Sequence, residues 1–241
     1  ITGGNQGLGY YIAKQLLEDG HNVSILDIDT SNISRLCQPY SEQLAVFVCN
    51  VSSESEVVSG VAKHLQRFKV IDAAIANAAL CTFDSFMDSD IEAFRHVMDV
   101  NYFGAVHIAK AVLPIMEVQR YGRILFTSSG VGVAGFKNIS PYASSKGAIE
   151  SLAKCLKLEY ADAGITCHII HPPLTRTASA KPLSVPEQMK ADPEKVGRGI
   201  AKHVFSNQFL ICDSLGQRAQ MALSYLAPLS IGRMMSMATD R

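Results

Sequence analysis

Apolar runs of strand character alternate with stretches of helical period from one end of this chain to the other, without a linker. The runs are 23–27, 45–50, 70–76, 124–128 and 165–171, with a short last one at 209–212. Runs that are apolar almost throughout are buried on both faces, which a parallel sheet covered by helices on either side provides. The helical stretches are 10–19, 53–68, 90–116, 141–163 and 194–205. Gly20 and Gly164 supply left-handed terminators. Ser53-Glu54-Ser55-Glu56 reads as a capping box in which serine and glutamate satisfy each other's amides. Pro114 is predicted to kink or end the regular part of the long helix, and Asp192-Pro193 supplies an N-cap and an N1 proline. The predicted fold is α/β, a doubly wound parallel sheet in a three-layer α/β/α arrangement, with residues 1–241 as a single domain. Ile1 leads directly into a glycine turn, so the strand that should precede that turn is almost absent, and we expect part of it to lie outside this numbering.

Right-handed crossovers put the C-terminal ends of the strands, and any ligand, on one edge of such a sheet. The glycine turn, Asp27, Asn50, Asn77, Ser129 and Pro172 all fall at those ends. Other classes are disfavoured by composition. Lys plus Arg equals Asp plus Glu at 22 each, with no basic run, which argues against a nucleic-acid footprint. Cysteines 37, 49, 81, 155, 167 and 212 show no paired spacing and read as free thiols in a reduced cytoplasm. Cys167, His168 and His171 read as packing residues rather than metal ligands, since strand neighbours alternate faces and no fourth ligand is evident. Met189, Met234 and Met235 likewise read as gap-fillers.

The turn Thr2-Gly3-Gly4-Asn5-Gln6-Gly7-Leu8-Gly9 lies between a strand and a helix. Gly3 and Gly7 permit a tight backbone path, and Gly9 lets the helix approach the sheet. Asn5, Gln6 and Leu8 complete a cradle whose free helix amides and positive dipole end suit a pyrophosphate. A glycine triplet alone is weak, because ordinary strand-to-helix turns use glycine too. Asp27, followed by Ile28, ends a strand eighteen residues after Gly9. Its carboxylate suits the ribose hydroxyls of NAD and repels the 2′-phosphate of NADP, at a cost on the order of several kcal/mol. We therefore expect NAD rather than NADP. Asp29 is the alternative acceptor.

Tyr142 and Lys146 lie one helical turn apart, and Ser129 lies thirteen residues before the tyrosine. A phenol ionises near pH ~10 and is a poor base. An ammonium about 5 Å away, at an effective dielectric of about 20, favours the phenolate by roughly 3 kcal/mol, or about two pKa units. With the charge of an oxidised nicotinamide added, the expectation is a phenol brought toward neutrality, where general acid/base catalysis works best. Ser129 would hydrogen-bond the reacting oxygen. Each residue has a structural explanation by itself; the joint spacing on the expected edge is what chance explains poorly.

With these motifs on the page, the chain resembles the short-chain dehydrogenase/reductase family over nearly its whole length. The matches are Thr2–Gly9 in the pattern Thr-Gly-x-x-x-Gly-x-Gly, Asn77-Ala78-Ala79, Asn101, Ser129 and Tyr142-x-x-x-Lys146. The resemblance implies a Rossmann-type fold and a catalytic set of Asn101, Ser129, Tyr142 and Lys146. Asn101 would support a water relay from Lys146 to solvent, Asn50 and Val51 would flank adenine, and Asn77 would brace the cofactor-side backbone. Pro172, Thr175 and Thr177 would meet the nicotinamide end. Three positions depart from the family pattern: Asn50 for aspartate, Ala79 for glycine, and Pro173 for the glycine of Pro-Gly, which removes an amide donor.

Residues 178–191 are expected to be a mobile loop covering the substrate, and residues 130–136, with Val131, Val133, Ala134 and Phe136, an apolar opposite wall. A hydrophobic alcohol or ketone is the expected substrate, interconverted by an NAD(H)-linked enzyme. Residues 213–241 form an apolar helical extension, too short for a bilayer span of ~20 residues and interrupted by Pro228. It reads either as a subunit-contact or core-covering helix or as a membrane-surface helix with Arg218, Arg233 and Arg241 at its margins. A homo-oligomer, dimer or tetramer, is expected. The Pro172-Pro173 segment and the tail are similar to those of ketosphinganine (3-ketodihydrosphingosine) reductases, a group that uses NADPH, which Asp27 opposes. The alternatives to an NAD(H)-linked alcohol/ketone oxidoreductase are thus a sphingoid-ketone reductase and a non-catalytic NAD(H) sensor.

Overall fold

The computed structural model describes residues 1–239; Arg241, at the margin of the tail, lies outside them. The strands are β1 Val23–Asp27, β2 Leu44–Val48, β3 Ala73–Ala76, β4 Gly122–Thr127, β5 Ile165–Ile170 and β6 Leu210–Ile211. β1 pairs with β2, and β3 to β6 pair in chain order, every ladder parallel. Residues 1–3 join these two parts: Leu26 N–H donates to the Ile1 carbonyl, Gly3 N–H to that of Leu26, and Thr2 N–H to that of Ile75. The nearly absent strand is thus represented by one rung between β1 and β3, where the doubly wound order requires it.

The helices are α1 Gly7–Glu18, α2 Ser34–Cys37, α3 Glu54–Phe68, α4 Ile91–Met98, α5 Gly104–Gln119, α6 Ser140–Glu159, α7 Pro193–Ala201, α8 Leu215–Leu226 and α9 Pro228–Thr239. Strand alternation sorts the core into two layers. Ala74, Ala76, Ile124, Phe126, Cys167 and Ile169 pack with side chains of α3, α5 and α6. Ile25, Ile75, Leu125, Ile170 and Ile211 pack with α1 and α7. Full burial of side chains such as Leu125 and Phe126 contributes about 2–3 kcal/mol each.

Three local expectations are corrected, and one short element went unread. β3 starts at Ala73 rather than at 70, because the Gln119 amide occupies both the N–H and the carbonyl of Ile71. The capping box is only half formed: Ser53 accepts from Glu56 N–H, but the Glu56 carboxylate accepts from Asn50 N–H, the Ser53 N–H being already bonded to the Asn50 carbonyl. Helix α5 runs through Pro114 rather than ending there, although proline removes the amide that would bond back to Lys110. The long helix breaks instead at a π-helical turn, residues 99–103. Tertiary bonds of Asn101 hold that wide turn. Lastly, α2 is a single turn around buried Leu36, too short to show a period in sequence.

Candidate active site

A cleft of about 560 Å³ lies along the C-terminal edge of the sheet. One end is built by the glycine turn. Gly3 and Gly7 have φ of +65° and +59°, and a Cβ on Gly9 would stand 2.1 Å from the Gly3 carbonyl oxygen. Only glycine lets α1 start this close to the strand. Helix α1 has no side-chain N-cap and no acidic residue in its first turn, so its positive end is left for a ligand. Gly3, Gln6, Gly7 and Leu8 line the cleft. Asn5 and Gly9 do not; Asn5 is buried behind it, accepting from Asn32 N–H and donating its own N–H to Asp27 Oδ2 at 2.8 Å.

Asp27 and Ile28 reach the cleft at the end of β1, and Asn50 and Val51 at the end of β2. Asp27 also accepts from Asp29 N–H at 3.1 Å, so each of its oxygens has one bond and spare lone pairs. Asp29 is turned to Ser31, bonded to both its N–H and its hydroxyl. Asn50 Oδ1 accepts from Ser52 in the same way. Asn77 ties the loops together: its Nδ2 donates to the carbonyls of Thr2 and Gly3 at 3.2 and 3.0 Å, and its Oδ1 accepts from Thr127 Oγ1. Asn77, Ala78 and Ala79 line the cleft, as do Pro172, Thr175 and Thr177 opposite. Thr175 Oγ1 donates to the Pro173 carbonyl at 2.7 Å.

Ser129, Tyr142 and Lys146 meet at the middle of the cleft. Lys146 is 1% exposed and its Nζ donates to the Thr127 carbonyl at 2.7 Å, 5.5 Å from the centre of the Tyr142 ring. Burial lowers its pKa to about 8, against the pull of Cys81 and Glu150. The protein groups around the phenol do not by themselves bring it toward neutrality. Enclosure in the cleft wall drives Tyr142 far above the ordinary phenol range, Cys81 adds to this, and the hydrogen bond with Ser129 opposes it. Desolvation outweighs the ammonium, so the phenol stays protonated. Asn101 stands behind this group rather than in the cleft. It is 2% exposed, bonded to both backbone groups of Leu80 and, through Nδ2, to Ser145 Oγ at 2.9 Å.

The substrate end is more enclosed than sequence reading suggested. Within residues 178–191, Lys190 is 5% exposed and donates to the Ala180 carbonyl and Glu187, and Arg176 pairs with Asp192 at 3.0 Å across the ends of the loop. Ala178, Ala180 and Leu183 line the cleft, opposite Gly130, Val131 and Phe136; Val133 and Ala134 do not. The tail folds back to complete the wall, with Gln217, Met221 and Ser224 of α8 and Met235 and Thr239 of α9. Its polar cleft-facing residues, and Cys81, Phe83 and His96 from the loop and helix after β3, went unnoticed in the sequence. The pattern of buried Gln217, Met221 and Ser224 at helical spacing was the available signal. Among the described residues no metal-binding group of His, Cys, Asp or Glu is present, and no helix is long and apolar enough to cross a membrane.

A family model described as short chain dehydrogenase matches residues 1–188, and the chain belongs to that family. It is 32% identical to "Oxidoreductase UcpA" of Escherichia coli (strain K12) over 209 residues, covering 85% of this chain and 78% of that protein. It is 28% identical over 230 residues to "3-ketodihydrosphingosine reductase" of Bos taurus, covering 87% and 68%. The fold matches that of a short chain dehydrogenase/reductase from Burkholderia phymatum in complex with NAD, with a TM-score of 0.82 at 19% identity and coverage of 94% and 92%. The protein is an oxidoreductase that transfers hydride with a nicotinamide dinucleotide.

Because the folded pKa of Lys146, about 8, is below its value of 10.5 in an open chain, the unfolded state holds an extra proton between these limits. The burial penalty is therefore full below pH 8 and is relieved as pH rises to 10.5. Relative to wild type, Lys146→Met without nucleotide is expected to lose about 2 kcal/mol of its stability advantage between about pH 7 and about pH 10. Chemical denaturation at the two pH values checks this, and a pH-independent difference would contradict it.

Proposed function

We propose that this protein is an NAD(H)-linked reductase of hydrophobic ketones, reversible as an alcohol dehydrogenase, with Tyr142 as the proton donor. The observation that carries the reading is the meeting of Ser129, Tyr142 and Lys146 in one apolar-walled cleft that continues into the glycine cradle. The residues present suit the cofactor: Gly7 and Leu8 amides for pyrophosphate, Asp27 for the adenosine ribose, Ile28, Asn50 and Val51 around adenine. Lys146 would hold the nicotinamide ribose, with Asn77, Ala78, Ala79, Pro172, Thr175 and Thr177 about the ring end. The bound dinucleotide supplies the hydride in reduction and takes it up in oxidation. Ser129 orients the carbonyl oxygen by a hydrogen bond, and Tyr142 Oη delivers its proton to that oxygen as negative charge develops there. Lys146 stabilises the phenolate left behind. Asn101 acts as a positioning residue, holding Leu80 and Ser145.

Tyr142→Phe is expected to lower kcat by about 10²-fold or more while NADH affinity is retained. The assay is NADH oxidation with 2-decanone, acetophenone and 3-ketodihydrosphingosine, the last chosen for the bovine relative's stated activity. Near-normal turnover in that variant refutes the role of Tyr142; saturable NADH binding with no wild-type turnover supports a sensor instead.

Support for NAD over NADP comes from Asp27 and from the cleft lining, where Lys146 is the one Lys or Arg among the described residues. Asp27→Asn keeps an acceptor for the Asn5 N–H and removes the charge. It is expected to narrow the NADH-over-NADPH affinity ratio by about tenfold or more. A wild-type preference for NADPH, measured by fluorescence titration, would overturn the NAD assignment.

The outward face of the tail exposes Leu223, Leu226, Leu229 and Met237, which supports a contact with a second copy of this chain. Introducing Leu226→Glu with Leu229→Glu is expected to shift self-association toward monomer in sedimentation equilibrium. A wild type that is monomeric and floats with phosphatidylserine-containing vesicles would replace the subunit contact by a membrane contact.

A further inference from the structure

Behind Lys146 lies a second buried polar group that the proposed chemistry leaves unused. Glu150 stands one helical turn past Lys146 on α6 and is 4% exposed; His171, just past β5, is fully buried. His171 Nε2 is 3.0 Å from Glu150 Oε1, and Tyr225 Oη donates to Glu150 Oε2 at 2.6 Å while lying 3.2 Å from His171 Nε2. His171 Nδ1 has no partner among the described residues, so the tautomer protonated at Nε2 is the one that donates to the Tyr225 oxygen, which in turn donates to the carboxylate. Burial alone would raise the pKa of Glu150; the neighbouring His171 imidazole and the Tyr225 hydroxyl instead hold it low. A charged carboxylate is thereby kept beside a buried ammonium, where low dielectric makes it felt.

Tyr225 comes from a different part of the chain. It belongs to α8, the helix whose Gln217, Met221 and Ser224 wall the substrate end of the cleft. Lys154 of α6 lies over its ring at 5.8 Å. The tail is seated at a second place as well, where Lys137 N–H donates to Ser236 and a Cβ on Gly232 would stand 2.5 Å from the Gly135 carbonyl oxygen.

We propose that Glu150, His171 and Tyr225 form a latch that joins the α8 wall of the substrate pocket to Lys146. Glu150 is a positioning residue for the Lys146 ammonium, and Tyr225 seats α8. This rests on the roles given above to Tyr142 and Lys146. Glu150→Gln removes the negative charge but keeps the shape. The groups facing Lys146 and the latch are Tyr142, Cys81, His171, Tyr225 and Lys154, all unchanged by this substitution. Loss of the carboxylate leaves less to oppose the fall in Lys146, so the alkaline limb of kcat against pH is expected to move down by about one unit. Tyr225→Phe keeps the charge. It is expected to leave that limb in place, raise KM for 2-decanone (or whichever ketone of the panel turns over) about fivefold, and leave kcat nearly unchanged. Backbone hydrogen exchange over residues 215–226 is expected to quicken in Tyr225→Phe.

An unmoved alkaline limb in Glu150→Gln overturns the coupling to Lys146. Wild-type exchange and wild-type KM in Tyr225→Phe overturn the seating of α8, and that variant decides alone if Glu150→Gln does not fold. A wild type without turnover on any ketone sinks the catalytic roles and the coupling to Lys146 with them. Hydrogen exchange then still tests the seat, with faster exchange in Tyr225→Phe upholding it and unchanged exchange overturning it.

Discussion

The hydrogen bond from Lys146 to the carbonyl of Thr127 is the interaction on which the working edge of this protein depends. It puts an ammonium where burial penalises it, and the surrounding elements are fitted to that position. Thr127 ends β4, and through its side chain it also donates to Asn77 Oδ1, whose amide nitrogen in turn holds the glycine turn. A continuous line of bonds therefore runs from the cradle at Thr2 and Gly3 through Asn77 and Thr127 to Lys146. Moving either half of the site requires moving the other. The turn after Ser129 passes so close that a Cβ on Gly132 would lie 2.8 Å from the Lys146 backbone, leaving little freedom to relax.

Beside this line, Ser145 fixes α6 to the π-turn by accepting from Asn101 while donating to the Tyr142 carbonyl. A regular α-helix through residues 99–103 would rotate Asn101 away from Leu80. The wide turn is a local cost that tertiary hydrogen bonding offsets, as such turns at functional sites commonly are. Proline at 114 could not produce this, because the bend is required fifteen residues earlier, next to the cleft.

What could be read from the residues follows from the range of each interaction. The parallel sheet, the glycine cradle and the Ser129–Tyr142–Lys146 group depend on local period, turn chemistry and spacing, and they lie where those rules put them. The capping box failed because Glu56 had a choice between two amides, and only the path of residues 50–53 decides it. Thr127 carried no signal at all: a threonine at the end of an apolar run looks like any β-branched strand residue. The folding back of α8 and α9 was equally hidden, since an apolar tail states that it will be covered but not by which surface. The bonds that Lys190 makes inside the loop at 178–191 were not legible, because the loop has the composition of a linker and Lys190 resembles an ordinary surface lysine.

The balance between charge and enclosure is the last consequence of this arrangement. An ammonium at 5.5 Å ordinarily favours a phenolate, yet here the same walls that exclude water raise Tyr142 and lower Lys146 together. The protein alone therefore leaves a neutral phenol beside an amine close to its own titration range. Glu150 limits how far the amine falls, since its negative charge favours the ammonium. The helix that supplies Tyr225 to Glu150 also lines the cleft with Gln217, Met221 and Ser224, so one element reaches both the buried carboxylate and the cleft wall.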